Sequence, residues 1–196
     1  MDRASEQRLL ASLREGDLDA FDRLYEHYRP RLYGFLVRLT KNQDTAEDLL
    51  QETWIRLSDK ASLLREDTHL GPWLFTVARN LYLSYRRWRL LDAERVQELF
   101  RLHADSDGRD CPFETAVATR LEARLERALA SLPLRYREVL LLVVVEGMPP
   151  SEAAQVCELK PEALRKRLQR ARTMLADRLG SADRGRQAQP ISEAKP

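Results

Sequence analysis

The chain has 196 residues, with 33 lysines and arginines against 31 acids, so any role that needs a charged surface must rest on local asymmetry. Seven glycines and nine prolines are too few for a loop-rich β sandwich or a low-complexity chain, and the length fits one or two domains. Only two cysteines are present, Cys111 and Cys157, far apart and outside any CxxC spacing, which excludes a disulfide scaffold and a Cys-based zinc site.

Apolar spacing is helical almost throughout. Gly16 closes a short leading helix and Asp17 caps the next. That second helix places Phe21, Leu24, Tyr25, Tyr28, Leu32, Phe35, Leu36 and Leu39 on one face. Pro30 removes a backbone donor within it, and a kink is expected there. Asp44 and Glu47 read as a capping box opening a third helix, with Leu49, Leu50, Trp54 and Leu57 on its buried side. A loop over about residues 58–71 follows, and Pro72 suits the first turn of a fourth helix. Leu74, Val77, Ala78, Leu81, Tyr85 and Trp88 form the apolar stripe of that helix.

Over residues 92–112 the pattern weakens, and the polar stretch HADSDGRDCP at 103–112 reads as an interdomain linker. Periodicity resumes with Leu121, Leu125, Leu129 and Leu132 and stops at Pro133. The apolar run 139–145 lies between helical segments with no partner strand, so it reads as a fully buried helix. Gly147, Pro149 and Pro150 break the chain, and two helices follow, over about 151–157 and 161–179. A polar tail over 180–196 reads as disordered. The expected fold is all-α: two small helical domains, residues 1–91 and 113–179, joined by a flexible linker over 92–112, the second containing a helix-turn-helix. The seven-residue run at 139–145 is far short of the roughly 18 residues that span a bilayer. With no basic-then-apolar stretch at the start of the sequence, the expectation is a soluble, cytoplasmic protein that inserts in no membrane.

Charge separates by segment. Residues 41–59 carry five acids against two bases, and residues 160–178 carry seven bases against two acids. Solvated helix faces account for a single run of this kind. A basic helix placed second in a tight helix pair points instead to the major groove, where residues in its N-terminal half reach base edges. There Glu162, Arg165, Lys166, Gln169 and Arg170 lie toward the groove, with Lys160 at the entry, while Ala163, Leu164, Leu168 and Ala171 lie toward partner helices. Arg can read guanine bidentately, Glu can accept from cytosine, and the remaining bases neutralise phosphates. An ordinary amphipathic hairpin stays open as the alternative. Glu158 occupies the turn position that glycine would fill most easily, which implies another turn geometry or some strain.

The fourth helix interleaves Trp73, Phe75, Tyr82, Tyr85 and Trp88 with arginines. Thr76, Arg79, Asn80, Leu83, Ser84 and Arg87 fall opposite its apolar stripe, with Arg86 adjoining. Stacking surfaces and cations are what a single strand requires. Trp73, Tyr85 and Trp88 are read first as core, which leaves the polar row as the sharper signal.

The strings DTAEDLLQETWIRL, GPWLFTVARNLYLSYRRWR, LPLRYREVLLLVVVEGMPPSEAAQV and ALRKRLQRARTML together resemble the extracytoplasmic-function group of bacterial sigma-70-type sigma factors, over about two thirds of the chain. The resemblance implies a dissociable specificity subunit that binds core RNA polymerase through its β′ and β subunits, recognises a promoter and nucleates melting. It makes Asp48, Gln51 and Glu52 candidates for docking on the clamp helices of β′. It assigns Arg79, Asn80, Leu83, Ser84, Arg86 and Arg87 to the non-template strand of the −10 element, with a flipped base held by the preceding loop and Asn80. It assigns the helix-turn-helix, with Lys160, Glu162, Arg165, Lys166, Gln169 and Arg170, to the −35 duplex, and it implies an anti-sigma partner. Ser84 stands where the family often has an acid, and Pro161-Glu162-Ala163-Leu164 replaces the common Gly-Thr-Val entry to the recognition helix.

Two other classes compete. A stand-alone helix-turn-helix regulator binds duplex DNA without polymerase, but it needs neither an acidic docking helix nor a second basic face, and no dimerisation heptad is visible. An enzyme is disfavoured: His27, His69 and His103 fall on separate elements, with no HExxH, nucleophile elbow or phosphate-cradling Gly loop. No catalytic residue, metal or cofactor is expected.

Overall fold

The structure, a computed structural model, describes the backbone of residues 1–100 and 120–187 and the side chains of 1–91 and 121–180. Among them the secondary structure is helical, with no strand. Helix α1 (Arg3–Arg14) opens on Asp2, whose carboxylate accepts the Ser5 N–H at 2.8 Å. Gly16, at φ +89°, makes the turn that an L side chain resists, and Asp17 then caps α2 (Leu18–Thr40) by accepting the Asp19 and Ala20 N–H groups at 2.9 and 3.4 Å. Helix α2 continues through Pro30 as one element. Pro30 and Glu26 are exposed, so water can satisfy the carbonyl that the proline leaves free.

Helix α3 (Gln43–Lys60) is capped by Asn42, whose side chain accepts the Thr45 N–H at 2.7 Å. Asp44 is therefore a first-turn residue and not the cap expected from the sequence. Asn42 reaches the orphan donor first, and Thr40 Oγ1 holds its own N–H at 3.2 Å. A single 3-10 turn, Ala61–Leu63, follows.

Helix α4 (Leu70–Phe100) begins two residues before Pro72. Its entry is capped from far upstream: Glu6 of α1 accepts the Leu70 N–H at 2.8 Å with one carboxylate oxygen and the Tyr28 hydroxyl with the other. Gly71 fits beneath Tyr28 because a Cβ there would stand 3.1 Å from its hydroxyl. The backbone of α4 runs to Phe100, so the first nine residues of the expected linker are helical, and its remainder, 101–112, lies outside the described residues.

After α5 (Arg120–Ala130), Pro133 starts α6 (Leu134–Leu140), which widens into a π turn over Leu141–Val145 where the Glu146 N–H returns to the Leu141 carbonyl at 2.9 Å. The run 139–145 is thus helical but only partly buried: Val139 to Leu142 are in the core, while Val144 and Val145 are exposed. The π turn rotates the last two valines out of the buried stripe. Helices α7 (Pro150–Val156) and α8 (Pro161–Gln187) complete the chain. The backbone of α8 passes Gly180, so the first residues of the expected tail are helical, and 188–196 lie outside the described residues.

The two helical domains, α1–α4 and α5–α8, each bury a leucine-rich core, with Leu24, Leu32, Phe35, Leu57 and Leu74 in the first and Leu132, Leu140, Leu141, Val156 and Leu164 in the second. Each such side chain contributes about 1.5–3 kcal/mol of transfer free energy. The domains also pack on each other, α2 against α6 and α4 against α7. Side-chain pairs that cross that seam with the basic member in the first domain include Arg31–Glu146 at 3.0 Å, Arg38–Glu126 at 2.7 Å, Arg79–Glu138 at 2.9 Å and His69–Glu152 at 3.3 Å. Arg137, buried in α6, donates to the carbonyls of Ala130, Leu132 and, across the seam, Arg38. Among the described residues, no helix is long and apolar enough to cross a membrane.

Candidate nucleic-acid interface

The α7–α8 pair is joined by a four-residue turn whose hinge is Glu158 at φ +55°. The left-handed conformation costs a residue with a Cβ about 1–2 kcal/mol. The Leu159 N–H bonds back to the Ala154 carbonyl at 2.8 Å and the Glu158 N–H to Gln155 at 3.0 Å, which holds the turn closed despite the strain. Beneath it Cys157 is buried, and burial pushes its thiol up to about 12, so it packs as a small apolar side chain and not as a reactive thiolate.

Leu164, Leu168 and Ala171 of α8 seat in the core, and the groove-side residues Glu162, Arg165, Lys166, Gln169 and Arg170 are all exposed, as is Lys160 at the entry. Ala163 is exposed as well, contrary to the expectation that it faces partner helices. At about 100° per residue it falls one step outside the stripe that Leu164, Leu168 and Ala171 define. Arg167 leans inward, 3.4 Å from Glu138.

The polar row of α4 is less open. Arg79 is 8 % exposed and donates to the Glu138 carboxylate, so the second domain covers it. Tyr82 is buried beside it, and that burial raises its hydroxyl pKa. Asn80 and Leu83 are half-buried, while Ser84, Arg86 and Arg87 are exposed. Trp73 and Tyr85 are half-buried, in line with a packing role, but Trp88 is 60 % exposed and does not belong to the core. It stands near the end of the stripe, where no described residue buries it.

On α3, Asp48 and Gln51 are exposed and Glu52 pairs with Arg56 one turn on at 3.0 Å. Ile55, 46 % exposed, extends the same face by one turn, so the acids border an apolar contact. The three candidate groups therefore occupy three different surfaces: α3, the outer part of α4, and α8.

Sequence reasoning missed two acids at the seam and one inside the first domain. Glu138 is 3 % exposed and sits between Arg79 and Arg167. Its signal was an acid directly after Arg137 at the head of the apolar run 139–145. Glu146 is nearly buried against Arg31, and desolvation, only partly offset by that guanidinium, raises its carboxyl above the ordinary value. Glu6, the distant cap of α4, carries no local signal. His27 sits in α2 and His69 in the segment just before α4, and His103 lies outside the described residues.

Two family descriptions match the chain, Sigma-70 region 2 over residues 24–89 and Sigma-70, region 4 over residues 122–175. The first covers α2–α4, the second α5–α8 into the recognition helix. The ECF RNA polymerase sigma factor EcfG of Rhodopseudomonas palustris is 33 % identical over 147 residues, which is 75 % of this chain and 78 % of that protein. RNA polymerase sigma factor CarQ of Myxococcus xanthus is 31 % identical over 173 residues, covering 87 % of this chain and 95 % of CarQ. ECF RNA polymerase sigma factor SigE of Mycolicibacterium smegmatis is 32 % identical over 83 % of this chain, which spans only 62 % of SigE. Among solved structures, the sigma factor RpoE of Bartonella quintana, in complex with the anti-sigma factor NepR, superposes with a TM-score of 0.67 at 28 % identity, covering 82 % of this chain and 96 % of that one.

Proposed function

Because the chain belongs to the extracytoplasmic-function sigma factors, alternative sigma factors of the sigma-70 type that serve transcription initiation, we propose how its surfaces divide that work. The α1–α4 domain, residues 1–91, engages core RNA polymerase and the −10 element. The α5–α8 domain, within residues 113–179, engages the −35 element. On α3, Asp48, Gln51 and Glu52 face a basic surface of the β′ subunit, with Ile55 as the apolar contact beside them. On α4, Asn80 and Leu83 hold an unpaired base and Ser84, Arg86 and Arg87 follow the backbone of the same strand. Extruding a base costs a few kcal/mol, least at weakly stacked steps, and capture offsets part of that cost. On α8, Arg165 and Gln169 reach base edges of the intact duplex. The chain works by binding, in the cytoplasm, and makes or breaks no covalent bond.

The observation that carries this reading is that every residue of the α8 groove row is exposed on the second helix of a tight pair, while its opposite side fills the core. In the arrangement described here Arg79 is committed to Glu138, so its use on the −10 strand requires the two domains to part. Bartonella quintana RpoE is held by an anti-sigma factor, and a partner of that class fits this chain as well.

The test is transcription by purified core RNA polymerase plus this protein on fragmented DNA of the source bacterium, with the start sites mapped. New starts sharing two spaced elements are expected. Reversing both Asp48 and Glu52 to lysine should abolish those starts together with co-purification of the protein with core polymerase. Tight binding of the free chain to a palindrome, with no new starts, would instead make it a stand-alone regulator.

A further inference from the structure

Beside the recognition helix lies a concave site of about 300 Å³ lined by Arg135, Tyr136, Ala163, Lys166, Arg167 and Arg170. Four of the six are cations, and no Asp or Glu is among them. Arg135 comes from α6, the others apart from Tyr136 from α8, so two elements converge on the site. The Arg135 guanidinium lies over the Tyr136 ring, 4.9 Å from its centroid, which fixes a long side chain that would otherwise sweep through solvent. Arg167 is partly neutralised by Glu138 at 3.4 Å, but Arg135, Lys166 and Arg170 are exposed, and no ion pair engages them among the described residues. The exposed methyl of Ala163 forms the floor and leaves the space open.

At about 100° per residue, Lys166 and Arg170 fall on the flank of α8 that turns toward α6, whereas Arg165 falls on the opposite flank. A cationic cavity with a small floor suits a compact, multiply charged oxyanion better than the flat edge of a base. Building on the assignment of α8 to duplex DNA, we propose that Arg135, Lys166 and Arg170 form a clamp for one backbone phosphate of that duplex. Arg135 is then a positioning residue that sets the register of α8 in the groove and carries no sequence information itself.

The test uses holoenzyme assembled from the full chain and core RNA polymerase, with labelled duplexes of the selected −35 sequence and of scrambled sequence, titrated across salt concentration. Arg135→Ala should bind every duplex roughly five- to tenfold more weakly at about 0.1 M salt, with a log–log salt slope shallower by about 0.9, the signature of one lost phosphate contact. Arg135→Lys should restore most of both, and Ala163→Leu, which fills the floor without changing charge, should reproduce the loss. Unchanged binding by Arg135→Ala, or a loss confined to one sequence, overturns the clamp. Loss with Arg135→Ala but not with Ala163→Leu also overturns it, since a lone surface charge would then suffice. The assignment of α8 has its own control: Arg165→Ala should change the preferred sequence, and if it does not, that assignment fails whatever Arg135 does.

Discussion

Helices α4 and α8 both carry rows of arginine suited to nucleic acid, and they differ in what stands opposite the row. All six groove-side and entry residues of α8 face solvent, while the α4 row begins under the second domain, with Arg79 buried against Glu138 and only Ser84, Arg86 and Arg87 in the open. The difference teaches that a helical wheel identifies a polar side without identifying the partner it serves. A charge read as a ligand for DNA can be held by an acid brought near only by the tertiary fold.

The sharpest way to break that comparison is to remove the acid. Glu138→Ala strands Arg79 and Arg167 beside an empty site, and loss of one member of a buried pair costs about 3–5 kcal/mol. Urea unfolding should show that loss, and Arg79→Ala in the same chain should cost much less than it does alone. A Glu138→Ala chain as stable as the parent would mean that α4 is as open as α8.

Arg165→Ala should leave unfolding untouched, because the side chain is exposed, while duplex binding by holoenzyme weakens by about 1–3 kcal/mol if the guanidinium reads a base. A loss of stability would place Arg165 with the seam residues.

The seam also has a pH signature. Burial holds the folded-state pKa of Glu146 above its ordinary value, so the folded chain binds that proton more tightly than the unfolded one. The resulting stabilisation is complete below the ordinary carboxyl value and fades as pH rises through the elevated one. Glu146→Gln should therefore flatten that decline in unfolding free energy between acidic and neutral pH. An identical pH dependence in both chains would show Glu146 to be solvated.

The smallest effect belongs to the strained turn: Glu158→Gly should stabilise by about 0.5 kcal/mol, as relief of the left-handed conformation is partly cancelled by the entropy glycine adds to the unfolded chain. Melting curves of the two proteins would resolve it.

The helices were legible because their signals are local. Asp17 followed by a stripe from Phe21 to Leu39 specifies α2 with no knowledge of neighbours, and Leu164, Leu168 and Ala171 orient α8 equally well. Boundaries that depend on competition were less legible: Asn42 displaced Asp44 as the cap of α3, and the π turn at Leu141–Val145 turned out two valines that apolar count alone would bury. The exposed row of α8 followed from periodicity. The commitment of Arg79 did not, because Glu138 is 59 residues away along the chain and only the docking of the domains brings them together.

The polarity of the seam has one more consequence. Arg31, Arg38 and Arg79 on one side meet Glu146, Glu126 and Glu138 on the other, so the arrangement behaves as a charged double layer. Peeling the layers apart strips counter-charge from both at once, leaving the front domain more attractive to polyanions and the rear domain with a repellent patch behind its basic helix. A molecule that opens in this way changes the direction of its own electric field.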